Sequence, residues 1–318
     1  MSRILIVTPA PHGSRKGNRL TAERWAMLVR RLGHRIAIAE SYTGQEADAV
    51  IALHARKSAA SIRRVRSVRP QTPIVAALTG TDLYHDLPDN RAAAESLQIA
   101  DRLVVLQPLA LRALPRSLHA KTRVIVQSVA PLATAVRPLP NRFEVCVSGH
   151  LRSVKDPFRA AAAVRSLPAE SKIQITHLGG ALTAAMEQRA RRETQRNPRY
   201  RWLGDVSHHW AMRLLKRSRL LAITSKLEGC PTVLSEAIAN GTPVAATRID
   251  GNVGLLGEDY AGYFEVGATR QLRDLLLRCE EDAQFLQHLQ AQCRAKAPLV
   301  EPQREQQAWQ ELLRDVNV

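Results

Sequence analysis

The chain has 318 residues, more than one ordinary hydrophobic core organises, and suits two domains of about 150 residues each. At 45% hydrophobic and 24% charged residues it reads as a folded globular chain, and no window approaches the roughly 18 apolar residues of a membrane span. Forty-six Lys and Arg against 29 Asp and Glu leave a formal +17 that attracts phosphate-bearing ligands, while 4% aromatic residues offer few stacking platforms for single strands.

Short apolar, β-branched runs alternate with amphipathic stretches. Strands are predicted at Arg3–Thr8, Arg35–Ala39, Asp48–Leu53, Pro73–Leu78, Arg102–Gln107 and Thr122–Gln127, and helices at Thr21–Leu32, Ala59–Val68, Arg91–Ile99 and Leu109–Leu114. Near-continuous apolar strands interleaved with helices specify a parallel sheet covered on both faces, an α/β class. The segment 131–142, with Pro131, Pro138 and Pro140, has no periodicity and reads as a linker between a first domain, 1–130, and a second, 143–297.

The alternation restarts with strands at Phe143–Ser148, Lys172–Leu178, Tyr200–Leu203, Leu220–Thr224 and Pro243–Thr247. Helices are predicted at Pro157–Ser166, Leu182–Arg196, His208–Lys216, Thr232–Asn240, Arg270–Glu280, Asp282–Ala295 and Pro302–Val316. Two doubly wound halves place ligands at the carboxyl ends of their strands, in a cleft between two facing sheets. The N-terminal apolar run Ile4–Val7 is too short for a signal peptide, and a cytoplasmic location without stable membrane association is expected. Cys146, Cys230, Cys279 and Cys293 form no CxxC pair and no zinc-ligand pattern.

Two carboxyl-end loops carry most of the chemistry. The first strand leads into Thr8-Pro-Ala-Pro-His-Gly-Ser-Arg-Lys-Gly-Asn-Arg19, where Gly13 and Gly17 permit close backbone approach and Arg15, Lys16 and Arg19 add charge. It is neither GxGxxG nor a Walker A loop, and a merely flexible loop is the alternative. In the second half, Glu228-Gly-Cys-Pro-Thr232 precedes a helix that ends at Asn240-Gly241. Glu228 and Glu236 stand eight residues apart, one on the loop and one a turn into the helix. Carboxylates accept from hydroxyls and a helix N-terminus favours phosphate, a pairing suited to a nucleotide sugar. Gly229, Pro231, Thr232 and the backbone N–H of Cys230 would line that ligand; two solvated surface glutamates are the alternative. Asp250-Gly-Asn-Val-Gly254 follows the strand at Pro243–Thr247, and its glycines permit close approach to a sugar or diphosphate.

The pattern Glu228-x7-Glu236, followed by Ala-Ile-Ala-Asn-Gly-Thr-Pro-Val244, resembles the signature of family 4 glycosyltransferases with the GT-B fold. The resemblance implies two Rossmann-like domains across a cleft, a nucleotide-sugar-binding second domain, and a final segment, 298–318, that packs back on the first domain. Trp202-Leu-Gly-Asp-Val206 resembles the family's strand and loop beside the base, which puts Val206 on the donor. Ser148-Gly-His-Leu-Arg-Ser-Val-Lys-Asp156 lies where the family places an Arg/Lys pair on the donor diphosphate. Lys155 matches; His150 stands in the arginine place, and Arg152 is the substitute two residues on. Arg152, Lys155 and Glu228 are the expected catalytic residues. No Asp-x-Asp metal motif is present, so neither metal nor cofactor is expected.

Segments 8–19, 53–62, 78–84, 149–157 and 249–257 together look like a narrower subgroup, the selenosugar synthases of selenoneine biosynthesis. That likeness implies transfer of a sugar from a UDP-sugar, of the UDP-N-acetylglucosamine or UDP-glucose type, to the selenium of selenophosphate. The expected acceptor clamp is Arg15, Lys16, His54, Arg56 and Lys57, with Asp82 accepting from a hydroxyl or orienting a histidine. Two other readings remain at this stage. One is a family 4 enzyme acting on a lipid or polysaccharide hydroxyl, with the helix around Arg24, Trp25, Arg30 and Arg31 against anionic lipid. The other is a non-catalytic nucleic-acid-binding module, disfavoured because loop glutamates repel a phosphate backbone.

Overall fold

Among the described residues, runs of two to six residues, bounded by loops, form twelve strands in two all-parallel sheets. The structure, a computed structural model, describes residues 1–14, 17–80, 82–87 and 89–318. Two compact units result, Met1–Gln127 with Pro302–Val318, and Ser128–Glu301. The expected Arg15 and Lys16 lie outside the described residues.

The first unit contains β1 (Arg3–Val7), α1 (Gly17–Arg31), β2 (Arg35–Ala39), β3 (Ala49–Leu53), α2 (Ala59–Val68), β4 (Ile74–Leu78), a π-helical turn at Asp82–Asp86, α3 (Arg91–Ile99), β5 (Arg102–Val105) and β6 (Thr122–Val124). The sheet order is β2-β1-β3-β4-β5-β6. Every residue of β3 and β4 is buried, as central strands covered on both faces require. The helix expected at Leu109–Leu114 is instead a 3-10 segment, Pro108–Ala113. Leu114 precedes Pro115, which pushes it out of the α region, so only tight turns fit between two prolines. Helix α1 starts at Gly17, earlier than its apolar pattern indicates. A buried Arg19 paired with Glu23 one turn on, at 2.6 Å, steadies that first turn.

The second unit contains β7 (Phe143–Ser148), α4 (Arg159–Val164), β8 (Ile173–Leu178), α5 (Ala184–Arg196), β9 (Tyr200–Trp202), α6 (His208–Arg217), β10 (Leu220–Ile223), α7 (Thr232–Asn240), β11 (Val244–Thr247), α8 (Asp250–Leu256), β12 (Tyr263–Phe264), α9 (Thr269–Glu281) and α10 (Ala283–Ala295). Its order is β12-β11-β10-β7-β8-β9. Asp250–Gly254, for which no helix is predicted from the sequence, forms the first turns of α8. Val253, Leu255 and Leu256 are buried, and Asn252 Nδ2 donates to the Thr247 carbonyl at 2.8 Å. Burial of that apolar face outweighs the poor helix propensity of two glycines.

The last helix, α11 (Pro302–Arg314), belongs to the first unit. Trp309 meets Trp25 edge-to-face with ring centroids 4.8 Å apart. Trp25 Nε1 donates to the buried Glu305 at 3.1 Å, and Arg24 pairs with the same carboxylate. Trp25 is fully buried, so the lipid-facing role considered for it is corrected: that face of α1 packs on α11. No helix among the described residues is long and apolar enough to cross a membrane.

Trp309→Ala is expected to destabilise the first unit by about 3–5 kcal/mol, the cost of emptying a large aromatic site. Denaturant unfolding of the intact chain checks this; a loss under about 1 kcal/mol would mean that the two tryptophans do not form a packed core contact.

Candidate functional site

In each sheet the chain reverses its direction of travel once, and loops on either side of that reversal diverge to leave a crevice. In the second unit the reversal lies between β7 and β10, which pair directly through Leu220 with Val145 and Leu221 with Cys146. The loops leaving these two strands are therefore neighbours. One holds His150, Arg152 and Lys155; the other holds Glu228, Gly229, Cys230 and Pro231.

Lys155 Nζ forms an ion pair with Glu228 Oε1, and the hydroxyl of Ser225 donates to the same oxygen at 2.6 Å. Thr224 Oγ1 donates to the carbonyls of Lys155 and Asp156 at 2.9 and 3.0 Å, and Lys226 N donates to the Val154 carbonyl at 2.8 Å. Thr247 Oγ1 donates to the Ser225 carbonyl at 2.6 Å, tying the cluster to β11. Gly251 closes the far side: a Cβ there would stand 2.3 Å from the Glu228 carbonyl oxygen, so only glycine lets α8 approach. A small cavity of about 20 Å³ lies between Gly149, Lys155, His177, Thr224, Glu228 and Pro231. It sits at the N-terminus of α7, whose first N–H groups lack intrahelical partners and favour an anion.

Beneath this cavity lies His177, buried in β8. Its Nε2 donates to the Gly149 carbonyl at 3.3 Å, and its Nδ1 accepts from the Tyr200 hydroxyl at 2.9 Å. The Gly149 carbonyl, which only accepts, places a proton on Nε2, and burial lowers the ring's pKa to about 4, which leaves it neutral near pH 7. Gly179 lies against the same loop: a Cβ on it would come 2.1 Å from the Gly149 carbonyl oxygen. His150 and Asp205 both lie close to Gly180, and Arg152 is exposed at the head of a short 3-10 turn, Ser153–Lys155.

Glu236 projects from α7 toward α6, where His208 Nε2 meets Glu236 Oε1 at 2.9 Å. Cys230 is buried, and burial pushes its thiol up to about 12, so it is a neutral packing group at neutral pH. Gly229 and Pro231 are also buried, whereas Thr232, the first residue of α7, is exposed. Val206 lines a different cavity, of about 440 Å³, with Leu203, Trp210 and Leu214 beside α6.

In the first unit the reversal lies between β1 and β3. Gly13 lies in the loop after β1 with φ 73°, and Gly17 is the first residue of α1. His54 follows β3 with φ 73°, a left-handed conformation that costs a non-glycine residue about 1–3 kcal/mol and recurs at functional sites. Its ring is buried, and burial lowers its pKa; Nε2 lies 3.7 Å from Asp86. Arg56 pairs with Asp86 at 2.8 Å, while Lys57 is exposed. Asp82 acts through its charge on the neighbouring His54, but does not offer the carboxylate expected for a ligand hydroxyl. It is fully buried, and its oxygens accept from the amides of Thr79 and Gly80 at 2.9 Å each and of Ala55 at 3.2 Å. It staples the loops after β3 and β4 rather than facing a hydroxyl.

Among the described residues no three His, Cys, Asp or Glu side chains are grouped to hold a metal ion. The residues that sequence reasoning passed over are His177, His208, Ser225, Thr247 and Asn252. His177, His208 and Thr247 act on partners 22 to 28 positions away, whereas Ser225 and Asn252 act on Glu228 and Thr247 three and five positions away.

Residues 135–297 match the family model described as glycosyl transferases group 1. No curated protein matches the sequence significantly. Among solved structures, Anabaena Alr3699/HepE in complex with UDP-glucose is similar over 99% of this chain and 100% of its own, at 17% identity and TM-score 0.75. Sucrose-phosphate synthase from Thermosynechococcus elongatus is similar over 99% and 98%, at 13% identity and TM-score 0.77. The lipopolysaccharide outer core galactosyltransferase WaaB is similar over 98% and 99%, at 13% identity and TM-score 0.68. These likenesses are of fold, the two-sheet GT-B architecture.

The buried neutral His177 makes stability depend on pH. Its folded pKa, about 4, lies below the ordinary 6.5. Between those values the unfolded chain binds a proton that the native ring refuses, so stability falls as pH drops through that window, by roughly 3 kcal/mol in all. Urea unfolding at pH 7 and 5 should show a smaller loss in His177→Gln than in the wild type. Equal losses would mean that the native ring takes up its proton at an ordinary pKa.

Proposed function

Because the chain belongs to the glycosyl transferases group 1 family, whose model spans just over half of it, we propose that it transfers a sugar from a UDP-sugar to the selenium of selenophosphate. The observation that carries the donor part is the meeting of Lys155, Glu228 and the α7 N-terminus at the β7/β10 reversal. A UDP-sugar presents a diphosphate flanked by two sets of hydroxyls. Lys155 and the α7 N–H groups suit the diphosphate, Glu228 the transferred sugar, and Glu236 the ribose. Arg152, His150, Gly13, Gly17 and Val206 complete the proposed donor contacts. Two solved structures of like fold, both of Anabaena Alr3699/HepE, hold UDP and UDP-glucose respectively, which supports the same choice of ligand.

Lys155 is paired with Glu228. A diphosphate entering beside α7 would draw Lys155 to itself and free Glu228 for sugar hydroxyls. As the anomeric C–O bond breaks, its electron pair leaves on the diphosphate oxygen, where Lys155 and the helix N-terminus stabilise the growing charge. A selenium lone pair forms the new C–Se bond. Selenophosphate is an anion with an already nucleophilic selenium, so the step needs orientation and charge screening but no general base. The acceptor assignment rests on the likeness of the segments at 8–19, 53–62 and 78–84 to selenosugar synthases. It also rests on Lys57 and Arg56, which stand exposed after β3. Their location at a strand-reversal crevice of the first unit suits a small anion.

Purified protein supplied with UDP-glucose or UDP-N-acetylglucosamine should release UDP in a selenophosphate-dependent way. Release indifferent to selenophosphate refutes the acceptor assignment. Lys155→Ala should lower kcat on the order of 10²–10³-fold, and Glu236→Gln should weaken UDP-sugar binding by about 1–3 kcal/mol. Wild-type kinetics in both variants would remove the donor site from this crevice.

A further inference from the structure

The neighbour of Glu236 is a residue outside the family pattern. Ser207 caps α6, its hydroxyl accepting from Trp210 N at 3.3 Å, and this sets His208 as the first helical residue. From there the ring reaches across to α7 and places Nε2 2.9 Å from Glu236 Oε1. Among the described residues this is the one hydrogen-bonding partner of that carboxylate. The Glu236 side chain is 12% exposed, while that of His208 is 73% exposed. The ring therefore lies on the solvent side of a nearly buried acid.

We propose that His208 is a positioning residue of the donor site, holding the Glu236 carboxylate through Oε1 in the orientation that accepts the ribose hydroxyls of a UDP-sugar. This rests on the donor reading above. A carboxylate offers about four lone-pair sites. One N–H from His208 leaves Oε2 and a second site on Oε1 for two hydroxyls. A glutamate already fixed in its binding rotamer does not lose that freedom when the ligand arrives.

Glu236 also raises the pKa of His208, chiefly through the hydrogen bond and then through its charge, against the opposing effect of partial burial. Glu236, on α7, is the charged group that acts on the ring from the packed elements; Asp205, in the loop before α6, lies instead against Gly180 and His150. The charge-assisted bond is complete below the pKa of His208 and weakens to a neutral one as pH rises through it.

Isothermal titration of the full chain with UDP-glucose tests this, since its doubly esterified diphosphate does not titrate near neutrality. His208→Ala should weaken binding about 3- to 10-fold at pH 6. His208→Gln, which keeps an N–H donor, should stay within about 2-fold of wild type. The wild-type Kd should rise between pH 6 and 8.5 while that of His208→Gln stays flat. Unchanged or tighter binding by His208→Ala overturns the role of His208 alone. A wild-type chain that binds no UDP-glucose overturns the donor reading and this proposal together.

Discussion

The direct pairing of β10 with β7 is the constraint on which the candidate site depends. Strands β7, β8 and β9 step outward in one direction, and β10 returns to the opposite side of β7. Their carboxyl-end loops then have no strand between them, which is why Lys155 and Glu228, 73 residues apart, form an ion pair. A chain that continued outward from β9 would have left each charge on a separate rim.

The supports of this pair are polar and internal. Ser225 holds the Glu228 oxygen, Thr247 holds the Ser225 carbonyl, and Asn252 Nδ2 holds Thr247. This relay runs across β10, β11 and α8 without reaching solvent, so the carboxylate is set by three successive elements. His177 does the equivalent for the opposite loop through the Gly149 carbonyl. A low-dielectric setting strengthens such bonds and makes an unmatched group costly, so the loops have few alternative arrangements. The first unit shows the same device at Asp82, whose buried carboxylate joins the loops after β3 and β4 by three amide hydrogen bonds.

The basic composition acquires a more specific meaning in this setting. Many arginines are spent on structure: Arg24 on Glu305, Arg123 on Asp315, Arg165 on Glu193, Arg217 on Glu144 and Arg199 on backbone carbonyls. Among the described residues, the cations on the loops beside the two reversals are few by comparison, Arg152, Lys155 and Lys226 in one unit and Arg56 and Lys57 in the other. A net charge of +17 therefore describes the field around the molecule, whereas the position of these few cations is decided by the strand order.

Local sequence determined the alternating elements, because period and composition are properties of adjacent residues. The bounds of α2, α3 and α7 and of β2 and β7 could be read directly, as could the Glu228-x7-Glu236 pattern on a loop and helix start. It did not reveal α8, where Gly251 and Gly254 obscure an apolar face that matters only once packed, nor the 3-10 form of Pro108–Ala113. Nor could spacing reveal that Asp82 serves backbone amides, that His177 braces Gly149, or that His208 reaches Glu236. The contacts of Asp82 with Ala55, His177 with Gly149 and His208 with Glu236 join residues 27 or 28 positions apart, and they exist because strand order and helix packing bring distant side chains within hydrogen-bond reach.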